Sequence, residues 1–476
     1  MKSTLKYIFS FWSLFAIEYF ALAQTKTTTS KPETKEQVKI IGANTIERNT
    51  EISDASRLLG NVKLGFGESV LYCDSAYRFD DGIFEVFSNI KVLSAPNSIL
   101  YSDYAILNPI SESIKVRDSV QFIHEDMQLS CKELVYDIKN KLVHYFSRAR
   151  FIDGNKSLES DFGTYSSNSG KLYAGGNVII EEGMDFIASD SIAIDKENRF
   201  IQIFKRTHMD INGSLINCSR GEFDGDTEEG WFAGDASIYD NQGYLAGDSI
   251  ILEQEKGGGA AWGNVVVRDS SKTLTVKGFY AIRNNYKEII YGDSITPAIA
   301  TNIEEGDTLI LGANMLSKDE NWLFATGNVE FYQGTFAGEG DSLSWELDTD
   351  VVWLLGNPIV RSEEEELTGD SVRILVINSQ PALLSLIGNA KVISSTNDTL
   401  QNEMMGKTLD AKFTNGDINQ VDIKGNGNII YYTIDEANSV SKNKATCSHI
   451  KIHFINREVE SIILFNSPEG SVEKLN

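Results

Sequence analysis

A Gly-Asp-Ser-Leu block at residues 340–343 is the clearest catalytic motif in this sequence, since one class of serine esterases places its nucleophile in such a block. Two observations argue against that chemistry. Asp-Ser pairs recur at positions 74, 190, 248, 293 and 370, so the dipeptide is a repeated feature of the chain. None of the five histidines follows an aspartate by three positions, the spacing those esterases use for the base and its orienting group. We therefore predict that the chain is not an enzyme and has no catalytic residue.

Metal and cofactor motifs are equally incomplete. The histidines are scattered, and on a strand the nearest two would lie about 13 Å apart, too far to bind one ion. The stretch DGDTEEG at 224–230 lacks the glycine and the closing glutamate of a calcium loop, which favours a hairpin turn, and GGGAAWG at 257–263 indicates an isolated glycine-rich turn. We predict no metal and no cofactor, and histidines that are solvated or hydrogen-bonded on strands. The five are His124, His144, His208, His449 and His453.

The elements that carry these residues repeat along the chain. Eight Leu or Ile residues follow one another at intervals of 29 positions: Leu71, Leu100, Leu129, Leu158, Ile187, Ile216, Leu245 and Leu274. Two positions after each comes a short motif such as CDSAY at 73 or SDSIAID at 189, and the other half of the unit carries Gly-Asn or a relative, as in GNV at 60, 176, 263 and 327. About thirteen units can be counted, with a six-residue slip between Leu274 and Leu309 and looser spacing after Leu367. Such periodicity predicts stacked structural repeats that share one apolar interior.

Each unit has the period of a β-strand. Val62 and Leu64 flank Lys63, and the same alternation recurs in the other units. After the Asp-Ser pair the apolar positions change parity, so that Ile187 and Ile192 occupy opposite phases. A parity change predicts a bulge or corner that carries each long strand across two sheets, with Asp-Ser shaping the corner through local hydrogen bonds to the backbone. The predicted fold is all-β, a solenoid-like stack of about thirteen two-strand units.

The four cysteines follow the same phase. Cys73, Cys131 and Cys218 are separated by 58 and 87 residues, two and three repeats, and Cys447 opens a related segment. With stacked strands ~4.8 Å apart, even the nearest pair would be about 19 Å apart, beyond the ~7 Å limit between bridged Cα atoms. We predict four free thiols beside the corners, with a disulfide as the alternative.

The first residues indicate export. Lys2 and Lys6 precede an apolar run, and Ala21-Leu22-Ala23 is a pattern that signal peptidase reads, which predicts a signal peptide over 1–23 cleaved before Gln24. A polar linker over 24–38, a β-repeat domain over 39–297 and a second β-repeat segment over 298–476 are expected to follow. No stretch reaches the ~20 apolar residues of a membrane span, so we expect an exported, soluble protein. The net charge of −25 argues against a nucleic-acid partner, because phosphate contacts need clustered Lys and Arg.

The combination of motifs resembles the OstA/LptA-like family of periplasmic lipopolysaccharide-transport proteins, the large OstA-like proteins in particular. The closest matches are GNVKL with CDSAY at 60–77 and GNVII with SDSIAID at 176–195, within repeats that cover roughly residues 40–455. The resemblance implies an elongated, folded-over β-jellyroll, or β-taco, whose apolar groove carries the acyl chains of lipopolysaccharide through the periplasm toward the outer membrane. It also implies contacts with other OstA/LptA-like β-domains through open strand edges and with the outer-membrane translocon, and leaves open an association with the outer membrane itself.

The residues expected to line that groove are Val62, Leu64, Leu71, Leu100, Leu129, Leu158, Ile187, Ile216, Leu245 and Leu274. Sequence alone leaves open whether the interior is an open groove or a closed core. The alternative to lipid transport is a structural or adhesive β-solenoid with a dry core and no ligand. A carbohydrate-active β-helix enzyme ranks third, because no acidic cluster departs from the repeat.

Overall fold

The computed structural model describes residues 37–48, 54–253, 258–304, 307–362, 365–377, 380–397, 400–414, 417–434, 439–455 and 458–475. Within these ranges the chain forms 38 β-strands and no helix, and hence no helix that could cross a membrane. The all-β prediction is confirmed. The predicted signal peptide, and all of the predicted linker except residues 37 and 38, lie outside the described residues.

The strands of the first two hundred residues are β1 Lys39–Gly42, β2 Thr45–Arg48, β3 Ser56–Phe66, β4 Ser69–Arg78, β5 Phe84–Ser94, β6 Ser98–Asn108, β7 Ser113–His124, β8 Met127–Asp137, β9 Leu142–Tyr145, β10 Ala149–Asp153, β11 Lys156–Ser160, β12 Phe162–Ser166, β13 Lys171–Glu182, β14 Asp185–Asp195 and β15 Phe200–Ile203. Those that follow are β16 Thr207–Ile211, β17 Ser214–Cys218, β18 Arg220–Asp224, β19 Glu229–Tyr239, β20 Gly243–Glu253, β21 Gly258–Asp269, β22 Leu274–Arg283, β23 Glu288–Tyr291, β24 Ala298–Glu304, β25 Asp307–Ala313, β26 Met315–Lys318, β27 Trp322–Gln333 and β28 Phe336–Glu346.

The remaining strands are β29 Val351–Leu355, β30 Ile359–Ser362, β31 Glu365–Thr368, β32 Ser371–Ile377, β33 Gln380–Asn397, β34 Leu400–Thr414, β35 Asp417–Ile434, β36 Val440–Ile455, β37 Glu458–Phe465 and β38 Glu469–Leu475. Strand β21 begins at Gly258, so the stretch GGGAAWG runs into a strand, and the isolated turn expected there is wrong.

Neighbouring strands pair antiparallel along the whole series. β3 pairs with β4, β4 with β5 and so on to β8, which splits its partners between β9 on one side of the corner and β10 on the other. The register shifts at the Gly-Asn position in each long pair, for example between Leu59 and Val62 of β3. The predicted corner therefore exists. The corner divides each long strand into two halves, and each half pairs with the corresponding half of the next strand. We call the side of the corner that carries Val62 the first wing and the side that carries Ala76 the second wing.

The corner is made by two consecutive residues with left-handed backbone. Gly60 has a φ of 74° and Asn61 a φ of 48°, and Gly176 and Asn177 repeat the pattern. Glycine and asparagine are the residues that adopt this conformation at least cost, which explains why Gly-Asn recurs in the sequence.

The Asp-Ser motif completes the corner from the adjacent strand. Asn89 Nδ2 donates a hydrogen bond of 2.6 Å to Asp74 Oδ2, and the same Asn-to-Asp bond joins Asn177 to Asp161 at 2.6 Å. It recurs from Asn264 to Asp248 and from Asn389 to Asp370. The aspartate thus bonds to a neighbouring strand at these corners. The local role expected of the Asp-Ser pair is found at Asp293, which accepts hydrogen bonds from the backbone of Ile295 and Thr296.

The small residue that opens the corner motif makes a local bond of its own. Cys131 Sγ donates to the backbone oxygen of Glu133, and Ser102 Oγ donates to that of Tyr104, two residues ahead in each case. Serine and cysteine both fit because each is a small donor at this position. All four cysteines are free, as predicted.

The apolar residues form two clusters. The first extends from Leu58 to Ala281 and the second from Ala298 to Ile452, with Ile290 packed against both. The interior is therefore apolar along almost all of the described chain, with a change of cluster between Ala281 and Ala298.

Candidate functional site: the interior between two wings

The first and second wings face each other across the apolar interior. Tyr136 on the second wing donates a hydrogen bond of 3.0 Å to Ser94 Oγ on the first. Tyr145 and Ser160 lie on opposite wings, and their hydroxyls are 2.6 Å apart. Residues far apart in sequence thus meet inside, and the space between the wings is the candidate site.

Nine of the ten predicted groove residues belong to the first apolar cluster or pack against it, and Leu274 lies two positions before the inward Val276 on the same face of β22. Eight are buried, with exposed fractions from 0% at Leu129 to 6% at Leu158. Leu245 and Leu274 are only half-buried. Lipid binding by these residues stays a prediction.

Sequence reasoning missed the opposite side of the interior. The second wing contributes buried residues at the positions that follow the parity change, among them Ala76, Ala105, Leu134 and Ile192. The signal was present, because each lies three residues after the small or polar residue that opens the corner motif. The corner alone does not show that the two wings fold face to face, so the sequence did not assign these residues to the interior.

Aromatic rings fill the interior of the segment from Ser56 to Ile203, which we call the closed segment. Tyr165 on the second wing packs against Phe122 and Phe151 on the first, with ring centroids 6.4 Å apart in both pairs. Phe122, Tyr136 and Tyr145 are at most 1% exposed. Gly163 is required here, because a Cβ at this position would collide with the Tyr145 ring.

Polar contacts also join the rims of the two wings in the closed segment. Lys141 Nζ on the second rim lies 3.2 Å from Ser94 Oγ and 3.8 Å from Glu68 Oε2 on the first. Lys196 Nζ forms a second bridge, 2.8 Å from Asp153 Oδ2. We call these contacts the rim clasp. They close the mouth of an interior that aromatic rings already occupy.

The segment from Gly243 to Glu346, the open segment, has alanines among its buried residues. Ala261, Ala298 and Ala325 are fully buried, beside larger residues such as Ile250 and Val265. Toward the rims its inward apolar residues are only half-buried, namely Leu245, Leu252, Val267, Leu274, Val276, Ala300, Leu323 and Phe336. The ion pair between Arg283 and Glu288 joins neighbours on one wing. The interior of this segment is therefore accessible at its mouth.

Buried hydroxyls and thiols keep their protons in the closed segment. Burial raises the pKa of Cys131 to about 11, and burial followed by the charge of Asp74 raises that of Cys73 to about 12. The pKa of Tyr165 is also raised to about 12, by burial first and then by Glu125 and Asp153. These groups are neutral at physiological pH, as an apolar interior requires.

The other predicted polar features have structural roles. His144 bonds to Thr164 at 2.9 Å and His208 to Asn217 at 2.8 Å, as expected for hydrogen-bonded strand histidines. Asp224 accepts hydrogen bonds from the backbone of Asp226 and Thr227, which confirms a turn in DGDTEEG. Among the described residues no group of three or more His, Cys, Asp and Glu side chains is placed to hold a metal ion.

The outer face of the first wing carries cations and aromatic rings. Lys63 Nζ lies 5.2 Å from the ring centroid of Tyr72, and Lys91 Nζ lies 5.8 Å from that of Tyr101. These lysines point away from the interior, as their phase predicts.

Comparison with known proteins finds a similarity over the first part of this architecture. Residues 35–190 match a family model described as OstA-like protein. This part of the chain is similar to that family. The matched part contains most of the closed segment, including its aromatic rings and the Lys141 contacts of the rim clasp, whereas Lys196 lies beyond it. No curated protein sequence matches the chain.

One solved structure similar to this chain is the crystal structure of LptH, described as the LptA-homologous periplasmic component of the conserved lipopolysaccharide transport device from Pseudomonas aeruginosa. The match has 16% sequence identity and a TM-score of 0.21, and covers 24% of this chain and 80% of that chain. A TM-score this low carries no argument about function.

Proposed function

We propose that the protein carries an acylated lipid, with the acyl chains held in the apolar interior between the wings. The observation that carries this proposal is the open segment, where inward residues such as Leu245 and Leu274 are apolar yet only half-buried. Removing apolar surface from water is favourable by about 25 cal/mol per Å². A lipid chain that covers these side chains would therefore bind with a gain in free energy.

The proposal extends to which lipid is carried and where it is delivered. The OstA-like match over residues 35–190 favours lipopolysaccharide, whose lipid A acyl chains would occupy the interior, carried through the periplasm toward the outer membrane. Other OstA/LptA-like β-domains and the outer-membrane translocon are the partners that this role requires. We propose binding and transport without catalysis.

The proposed organisation keeps two β-repeat parts, 39–297 and 298–476, after a cleaved signal peptide over 1–23. The change from one apolar cluster to the other between Ala281 and Ala298 supports this division. Strands β1 and β37, at opposite ends of the stack, offer edges to which similar domains could add strands.

Photo-crosslinking in cells tests the lipid proposal. A benzophenone side chain at Leu245 or Leu274 should capture lipopolysaccharide, because both positions are inward and accessible. The matched control positions are Lys63 and Lys91 on the outer face, which should capture none. Equal capture inside and outside, or none at either inward site in a folded protein, would contradict the proposal.

A structural solenoid without ligand is the second candidate. The filled interior of the closed segment favours it, since Phe122 and Tyr145 leave little room for a chain between the wings. Crosslinkers at Leu129 and Ile187 extend the test to this segment. Capture at Leu274 with none at Leu129 would mean that lipid occupies only the open segment, and the structural role would then apply to the closed segment alone.

A further inference from the structure

Trp345 carries a polar group that the interior of the open segment does not satisfy. Its indole Nε1 is buried and has no hydrogen-bond partner in the part of the chain that the structure describes. Buried N–H groups are normally paired, because a buried donor without a partner has given up its hydrogen bond to water and gained none in return. The indole N–H therefore points to an acceptor that comes from outside the protein.

The indole lies on the inward face of the second wing, near the rim. Leu343, two positions earlier on β28, belongs to the second apolar cluster, and the half-buried Trp345 packs against that cluster. The register of the neighbouring strands places Leu323 on one side of Trp345 and Val352 on the other. The unpaired donor thus stands among apolar side chains, at the mouth through which the open segment is accessible.

These surroundings narrow the kind of acceptor that fits. A carboxylate or a phosphate would lose its hydration beside Leu323 and Val352, and a single neutral N–H offsets little of that cost. The carbonyl oxygen of an ester or an amide is neutral and accepts a hydrogen bond from an N–H group. In an acylated lipid that carbonyl is joined directly to a hydrocarbon chain, so one molecule supplies both the acceptor and the apolar surface.

We propose that Trp345 binds the carbonyl oxygen at the head of an acyl chain and so fixes where that chain enters the open segment. This inference rests on the proposed function, from which it takes the acyl chain. Nε1 donates its proton to the carbonyl oxygen, and the hydrocarbon continues over the apolar residues of the interior. The half-buried Leu323 moves aside as the chain enters, which gives the oxygen access to the covered donor. The site thereby distinguishes an acyl chain from an alkyl chain of the same length.

Two lipids that differ only in the carbonyl test the role of Trp345. The probes are a lysophospholipid with an ester-linked chain and its ether-linked analogue, in which a methylene replaces the carbonyl. Calorimetric titration of the whole protein, at lipid concentrations too low for micelles, gives both affinities. The unmodified protein should bind the ester about three- to tenfold tighter than the ether, the usual effect of one hydrogen bond. Trp345→Phe should bind both lipids as the unmodified protein binds the ether.

The matched control is Trp353→Phe. Trp353 follows the inward Val352 on β29 and therefore lies on the outer face, where Arg373 stands 6.0 Å from its ring centroid. This variant should keep the preference for the ester within twofold of that of the unmodified protein.

Three results would overturn the role of Trp345 and leave the lipid proposal standing. They are equal affinities for the two lipids in the unmodified protein, a preference for the ester that survives Trp345→Phe, and equal losses of that preference in the two tryptophan variants. Binding of neither lipid would also overturn this inference. The absence of lipid capture at Leu274 as well would overturn the lipid proposal itself.

Discussion

The closed and open segments are built from the same repeat but differ in what fills the space between the wings. At the same repeat phase, Leu129 in the closed segment is 0% exposed, while Leu274 in the open segment is half-buried. The second wing presents the buried rings of Tyr136 and Tyr145 in the closed segment, whereas its buried residues in the open segment include Ala261 and Ala281. The backbone pattern therefore sets the direction of an inward side chain, and its facing partners decide whether the interior is core or groove.

The largest expected difference between the segments is in stability. Leu129→Ala should lower the free energy of unfolding by about 3 kcal/mol, because it leaves a cavity in a packed interior, whereas Leu274→Ala should cost about 1 kcal/mol. Urea denaturation of both variants gives the comparison, with each serving as the control of the other. Equal costs would show that the two interiors are packed alike.

Filling the open segment should remove its capacity for lipid. Ala281→Trp places a large ring in the interior, where Ala281 is 8% exposed, and should reduce photo-crosslinking of lipid at Leu274 at least tenfold. The control is Lys277→Trp on the outer face of the same strand, which should leave capture unchanged. Undiminished capture in a folded Ala281→Trp protein would place the lipid elsewhere.

Alkaline pH should lower the stability of the closed segment before that of the open segment. The pKa values of Cys73 and Cys131 are raised from 9.0 to about 12 and about 11, so these thiols stay neutral in the fold while the unfolded chain ionises. The full contribution of these thiols to the free energy of unfolding is present below pH 9. It is lost progressively as the pH rises toward the pKa values of the folded state, by about 1 kcal/mol per thiol at pH 10.

Hydrogen exchange at pH 8 and pH 10, corrected for the intrinsic rate, measures this effect by segment. The open segment contains no cysteine and is the internal control. Equal loss of protection in both segments would show that the thiols do not govern the alkaline response.

The smallest expected effect on the free energy of unfolding is that of the rim clasp. Lys196 and Asp153 are partly exposed, with side-chain exposures of 40% and 29%, so their attraction is screened by water. Lys196→Met should cost about 0.5 kcal/mol and increase amide exchange at the rims of the closed segment. Lys277→Met, on the outer face of the open segment, is the control, and identical exchange in the two variants would argue against a closing role for the clasp.

Much of the fold could be predicted from the sequence because its determinants are local. The period-2 alternation around Lys63, the recurrent Gly-Asn and the parity change after Asp-Ser are properties of a few consecutive residues. They predicted the strands, the corners and the free cysteines. The bond from Asn89 to Asp74 could not be predicted in the same way, because it joins consecutive strands in a register that the corner itself sets.

The candidate site was predicted only on one side. The sequence by itself determined that the Leu and Ile residues at the 29-residue spacing share one face, since strand geometry alone places alternate side chains together. Only the tertiary structure decided what that face meets. Tyr165 packs on Phe122 from a strand 43 positions later, and Lys141 reaches Ser94 across the rims, because two bent sheets fold onto each other. Burial depends on these facing contacts. A leucine at the same repeat phase is therefore buried in the closed segment, as Leu129 is, and half-buried in the open segment, as Leu274 is.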